Sequence, residues 1–274
     1  MIDADTVQAL QARIAAETGS GETATWDAGE VAALVSHAGL DTAWLKRALK
    51  RRLMGEPLAY LVGGFEFEGR FFGCDARAYV TDPETIWLVR AVVRDIDAFH
   101  GRTGRWPIVA EFGFGGGALG ITVKLARPGI HLVALDIDDA ALAVGRDNLA
   151  RHGVEATVAE SDGFDSWPLS EPPDFIFGDP PWGGETDLYD DADRDAAHYH
   201  AMPAASAYPL GGVTAVHRFI MAAVAERGWR SRLILNLGVL PAEDVAMLQR
   251  SAAESELEYA IPTSGVLRAT MVSA

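Results

Sequence analysis

Residues 174 to 182, DFIFGDPPW, run from three apolar residues, Phe175, Ile176 and Phe177, through Gly178 into Asp179, Pro180, Pro181 and Trp182. That pattern predicts a buried strand stopping abruptly at a rigid turn that bears a carboxylate. Each proline fixes its own φ, lacks an amide donor and restrains the residue before it, so Asp179 and the neighbouring main-chain carbonyls stand as fixed acceptors. Trp182 supplies a flat apolar wall beside them. Acceptors next to an aromatic plane suit a planar nitrogen carrying N–H donors: an amide, an exocyclic amine or a guanidine. A plain Asp-Pro turn closing a core strand has the same four residues, so the functional reading depends on the other motifs.

The second motif is EFGFGGGALG, residues 111 to 120, in which a β-type run passes through glycines at 113, 115, 116 and 117 into a helical pattern. Glycines there let the backbone approach a ligand closely. LDID, 135 to 138, ends the next apolar run with Asp136 at the distance where an acid accepts hydrogen bonds from ribose hydroxyls in doubly wound folds. ESDGF, 160 to 164, sets Asp162 at the same edge. Glu111 places an anion just before the glycine turn, where a dinucleotide would need to seat its pyrophosphate. A cationic, phosphate-free cofactor fits better, and S-adenosyl-L-methionine is one.

These motifs need a parallel sheet to bring them together, and the chain from residue 108 onward supplies the alternation that builds one. Strand-like runs at 108–112, 132–135, 157–159, 175–177 and 233–237 alternate with helical patterns starting at Ala118, Asp139 and Val213. The tail, ELEYAIP and VLRATMV around a Thr-Ser-Gly break, reads as a closing antiparallel hairpin. Upstream, Val7, Leu10 and Ile14 have helical spacing, Asp27 with Glu30 resembles a capping box, and Asp41 can cap a helix with Trp44, Leu45, Ala48, Leu49 and Leu53 on one side. Lys46, Arg47, Lys50, Arg51 and Arg52 make its other side a solvated face. Residues 55 to 80 carry glycines among alternating aromatic and apolar residues, as a β-hairpin would. The expected division is a helical cap over residues 1–60, a hairpin linker over 61–80 and the sheet domain over 81–274.

The 274 residues are 49% hydrophobic, enough for a large core. A formal charge of −16 repels a phosphate backbone and argues against a nucleic-acid partner. One cysteine, Cys74, and no Cys/His cluster of zinc-like spacing suggest a reducing compartment and no metal. No long apolar run and no signal-like N-terminus are present, so a cytoplasmic location without membrane contact is expected.

With these motifs in place the chain resembles the HemK-type class I methyltransferases, the release-factor glutamine N5-methyltransferases. The likeness rests on the linker GEPLAYLVGGFEFEGRFF, the PET of YVTDPETIW, EFGFGGG, LDIDDAALAVGRDN, and DPPW where the family carries NPPY. It implies a Rossmann-like α/β fold with a mostly parallel seven-stranded sheet and a small N-terminal helical domain joined by a β-hairpin. By position it implies that Gly113, Gly115 and Gly117 pass the methionine part of S-adenosyl-L-methionine, that Asp136 holds the ribose and that Asp162 lies near the adenine amine. Glu111 and Asp179 complete the cofactor-facing set. Asp179 takes the place of the substrate-gripping asparagine, the Pro180 carbonyl shares the target nitrogen, and Trp182 replaces a packing tyrosine.

The departures shape the expected substrate. An ionised aspartate only accepts and carries charge, so it can pair two N–H groups of a guanidinium. Asp82 stands before Pro83 where the family has an arginine, and residues 183–198 are dense in acid. The expectation is therefore an N-methyltransferase acting on a small cationic molecule, with the guanidino group of free L-arginine as the leading choice. Glutamine methylation on a protein such as a release factor is the alternative, ahead of adenine-N6 methylation of nucleic acid or an idle cofactor-binding relative.

Overall fold

A computed structural model describes residues 33–34, 36–39, 41–181, 201–207, 211, 214–237, 242–254, 257–260 and 268–273. The expected helices before residue 32, Trp182 and the acidic stretch 183–198 lie outside the described residues. The helix expected after Asp41 is α1 (Thr42–Leu53), whose cap is that aspartate: Oδ1 accepts the Trp44 N–H at 2.8 Å. Leu45, Ala48 and Leu49 are buried along one side, with Leu34, Ala38 and Leu61 against them.

The stretch read as a hairpin from 55 to 80 divides differently. Pro57, with its φ preset at −55°, leads into a short helix α2 (Leu58–Val62), and Gly63 closes it in the left-handed region at φ +79°. Only then do β1 (Gly64–Phe67) and β2 (Arg70–Gly73) form the antiparallel hairpin. Beyond it Asp82 caps a single 3-10 turn, Pro83–Thr85, by accepting the Glu84 N–H, and the chain continues into α3 (Ile86–Thr103).

The remaining elements alternate: β3 (Ile108–Phe112), α4 (Ala118–Ala126), β4 (His131–Asp136), α5 (Asp139–His152), β5 (Thr157–Glu160), β6 (Phe175–Gly178), α6 (Ala204–Ala207), α7 (Ala215–Glu226), β7 (Arg232–Asn236), α8 (Ala242–Glu254), β8 (Leu257–Ala260) and β9 (Arg268–Ser273). They form a seven-stranded sheet of order β5-β4-β3-β6-β7-β9-β8. Strands β3 to β7 pair in parallel, and β9 runs antiparallel to both β7 and β8. The expected fold class is borne out. Helices α3, α4 and α5 bury Val92, Ile96, Ile121 and Leu142 on one face, while α7 and α8 bury Ile220, Val224 and Leu248 on the other. With both faces covered, β6 reads as a continuous apolar run, FIFG, buried at all four positions.

The order in the sheet also fixes where a ligand can sit. The chain moves outward from β3 to β4 and β5, then returns to place β6 on the other side of β3. The crevice at the carboxyl ends of β3 and β6 is the topological switch point, where open α/β sheets bind ligands.

Candidate active site

At that crevice Phe112, the last residue of β3, is in register with Gly178, the last of β6. A Cβ on Gly178 would lie 2.6 Å from the Phe112 carbonyl oxygen. Glycine is thus what lets the two strand ends close up and bring the glycine turn beside Asp179.

The turn itself is pinned from three directions. The Phe114 N–H donates to the Leu135 carbonyl at 2.9 Å, the Gly115 N–H donates to Asp136 Oδ2 at 2.7 Å, and Asn148 Nδ2 donates to the Gly116 carbonyl at 2.8 Å. Phe114 plugs the space beneath: at Gly117, φ +81°, a Cβ would meet its ring at 2.6 Å. Asp136 Oδ1 accepts the Asp138 N–H at 3.0 Å, so both carboxylate oxygens are held by backbone donors while the carboxylate keeps acceptor capacity for a ligand. Burial raises the Asp136 carboxyl with the Asp138 charge adding to it, and the backbone donors from Asp138, Gly115 and Ile137 oppose the rise.

Glu111 is 2% exposed, on β3 behind the turn, with Oε2 buried and without a hydrogen-bond partner. A Cβ on Gly120 would come 2.0 Å from that oxygen, so α4 can pass only with glycine there. Burial pushes the Glu111 carboxyl well above the usual carboxylate range; the nearby Gly120 backbone N–H opposes the rise without making a hydrogen bond to Oε2, and Asp136 and Asp179 add to it. An orphaned buried acid oxygen awaits a donor or a cation. The residues therefore fit S-adenosyl-L-methionine: a cradle of backbone at Gly113 and Gly115, whose Cβ positions open on empty space, a carboxylate with spare acceptors at Asp136, and an unpaired acid at Glu111.

Asp162 is exposed beyond β5 at the same edge. Two apolar side chains missed in the sequence accompany it. Ile137 is 58% exposed immediately after Asp136, and Phe219 of α7 is 44% exposed with its ring where a Cβ of Gly163 would stand. An apolar residue between two aspartates in LDID, breaking the strand's inward pattern, was the available signal for Ile137. Phe219 gave none, because it joins the edge only through the fold.

Asp179 sits at the tip of β6, partly buried, and Asn236 Nδ2 at the end of β7 donates to its Oδ1 at 2.8 Å. Burial lifts its carboxyl from 3.8 to about 6; the Asn236 bond opposes the rise and Asp82, ahead of the 3-10 turn, adds to it. Pro180 is buried beside it, and Trp182 is outside the described residues. Asn236 was not singled out in the sequence, where it is only the polar end of the run RLILN. Asn148 is 1% exposed and also exchanges two bonds with Gly73, at 2.8 and 2.9 Å, so it ties the hairpin to the glycine turn. Among the described residues no cluster of metal-ligating side chains occurs, and no helix is long and apolar enough to cross a membrane.

Residues 96–195 match the family described as "Methyltransferase small domain". Among curated proteins, the "Release factor glutamine methyltransferase" of Bordetella pertussis is 33% identical over 181 residues, 66% of this chain and 64% of that one. The protein of the same name from Neisseria gonorrhoeae is 37% identical over 137 residues, 50% of this chain and 48% of that one. The chain thus spans less than two thirds of the length of these relatives. Of solved structures, the hMettl16 catalytic domain in complex with MAT2A 3'UTR hairpin 1 matches with a TM-score of 0.55 at 13% identity, covering 90% of this chain and 89% of that one. A T. Thermophilus 16S rRNA methyltransferase solved with AdoMet and guanosine matches with a TM-score of 0.51 at 16% identity, covering 77% and 49%. Such distant likeness carries the fold alone.

The relatives overturn one expectation. A small cationic substrate, with free L-arginine foremost, is not what they are named for; they are named for glutamine methylation on a release factor. The physical reason lies at Asp179. Its charge is neither bare nor fully formed near pH 6, because one oxygen is already bonded by Asn236 and burial favours the protonated form. A carboxylate so compensated does not demand a cation.

Proposed function

We propose that this chain, a HemK-type member of the class I methyltransferases, uses S-adenosyl-L-methionine to methylate the side-chain amide nitrogen of a glutamine in a protein, a release factor being the first candidate. The observation that carries the reading is the fixed carboxylate of Asp179 beside the glycine turn, with one oxygen bonded and the other open among the described residues. The names of the curated relatives support it.

The bound cofactor supplies a methyl group on a sulfonium, and the chain supplies position. Asp136 accepts from the ribose hydroxyls, Glu111 faces the cationic methionine end, and Asp162 with Ile137 and Phe219 borders the base. A glutamine amide presents two N–H donors, which Asp179 Oδ2 and the Pro180 carbonyl accept. That grip turns the nitrogen's face toward the methyl carbon and lets positioning provide most of the acceleration. The two acceptors also favour the nitrogen's loss of a proton as its new bond forms.

The test is incubation with isotope-labelled cofactor and a panel of a release factor, glutamine-bearing peptides and free amino acids, followed by mass spectrometry of the labelled site. Label on a glutamine side chain is the expected result. Label on free arginine, or cofactor binding with no label on any glutamine, would overturn the proposal.

A further inference from the structure

The relation between Asn236 and Asp179 reaches beyond a generic contact. They stand at the carboxyl ends of neighbouring parallel strands, with Gly178 of β6 in register with Leu235 of β7. Asn236, the last residue of β7, and Asp179 therefore each stand one residue past that register pair, and the Asn236 amide reaches across at 2.8 Å. A carboxylate has two oxygens and can rotate about χ2. The bond from Asn236 occupies Oδ1, and no described residue donates to Oδ2. Asn236 is itself held from behind: its backbone carbonyl lies 2.8 Å from His217 Nε2, and His217 is fully buried in α7. Burial pushes His217 down, so the ring is neutral, and the bond makes Nε2 the protonated nitrogen.

We infer that Asn236 is a positioning residue for methyl transfer: by holding Oδ1 it fixes the orientation of Asp179 and leaves Oδ2, to which no described residue donates, for the substrate N–H, and it favours the ionised form of that carboxylate. This rests on the glutamine reading above. The Asn236 donor is spent on Asp179 Oδ1, so it acts on the substrate through Asp179, whose Oδ2 is the acceptor.

Asp179 needs such help because of what surrounds it. Asp82 faces it from the 3-10 turn and Glu111 from β3, both acids; the neutral His217 stands behind Asn236 on α7. No described cation is placed against it, so among the described residues the Asn236 donor is the contact that favours its charge. Taking that donor away must raise the pH at which Asp179 ionises.

The experiment is a titration of the Asp179 carboxyl carbon by 13C NMR, assigned with Asp179→Asn, in wild type, Asn236→Ala and the isosteric Asn236→Asp. The wild-type midpoint should lie near the value of about 6 that burial and the Asn236 bond set together. Asn236→Ala should raise it by about one pH unit, the scale of one charge-assisted hydrogen bond. Asn236→Asp should raise it further, since two carboxylates then share the site. The acid limb of kcat/KM on the protein substrate should move with the midpoint, so that Asn236→Ala is roughly fivefold below wild type at pH 6 and converges toward it near pH 9. Identical midpoints in all three proteins, or a pH-independent loss of activity with an unmoved limb, would overturn the inference. The NMR titration needs no substrate, so a wild type that titrates as expected yet methylates no glutamine counts against the functional reading alone.

Discussion

Asp179→Asn restores the residue of the NPPY motif while keeping the shape of the turn, and the structure sets the size of its effect. The carboxyl is lifted from 3.8 to about 6, so the folded protein holds this proton more tightly than the unfolded chain. For an acid raised in this way, stability is greatest while both states are protonated, below about pH 4, and declines as pH rises toward 6. At about 1.4 kcal/mol per pH unit the full penalty at neutral pH is about 3 kcal/mol, reduced to about 1–2 kcal/mol because the side chain is partly exposed to solvent. Asparagine carries no such penalty and its Oδ1 can still accept from Asn236. Urea unfolding of both proteins at pH 4 and pH 7.5 isolates the term, since all other titrations cancel in the difference. The variant should gain about 1–2 kcal/mol on wild type between those two pH values. On a glutamine-bearing protein its turnover should stay within about tenfold of wild type, with the acid limb near pH 6 flattened. A stability difference that does not change with pH would refute the raised carboxyl. A loss of activity by orders of magnitude would show that Asp179 does more than accept.

Three further outcomes test the rest of the site. Asn148→Leu strands the Gly73 and Gly116 backbone groups and should cost about 2–4 kcal/mol by urea unfolding, with weaker cofactor binding by calorimetry. Burial favours the protonated form of Glu111, and a cationic cofactor end favours its ionised form, so cofactor affinity should increase as pH rises; Glu111→Gln should remove that dependence, read by calorimetry across a pH series. Gly117→Ala drives a methyl into the Phe114 ring at 2.6 Å and should unfold at clearly lower urea than Gly113→Ala, where the new Cβ meets nothing within 4 Å and only backbone strain is added.

Much of this site was written locally and was therefore legible. Apolar runs ending in Glu111, Asp136 and Asp179 announce strands with acids at one edge, because parallel strands point the same way and place their carboxyl ends together. The glycines after Glu111 mark the turn for the same reason. What stayed hidden depends on partners far apart in sequence. Asn148 acts on Gly73, 75 residues away, and nothing in the pattern of α5 distinguishes a clamp from a surface amide. The helix Leu58–Val62 was absorbed into the expected hairpin, since glycines at 55, 63 and 64 punctuate both readings and only Pro57 hinted at a helical start.

The mistaken substrate came from the same limitation. Sequence shows the charge of Asp179 but not what answers it, and an acid in place of a family asparagine looks like an invitation to a cation only while it stands alone. Asn236 lies 57 residues further on, at the end of a different strand, and its amide supplies a donor that the substituted side chain lacks. Exchanging a carboxamide for a carboxylate costs the motif one donor and adds a charge; a neighbouring asparagine answers that charge with a hydrogen bond, so it does not call for a cation. The proposed glutamine reading rests on the pair of residues, which the sheet order brings together, and not on the aspartate alone.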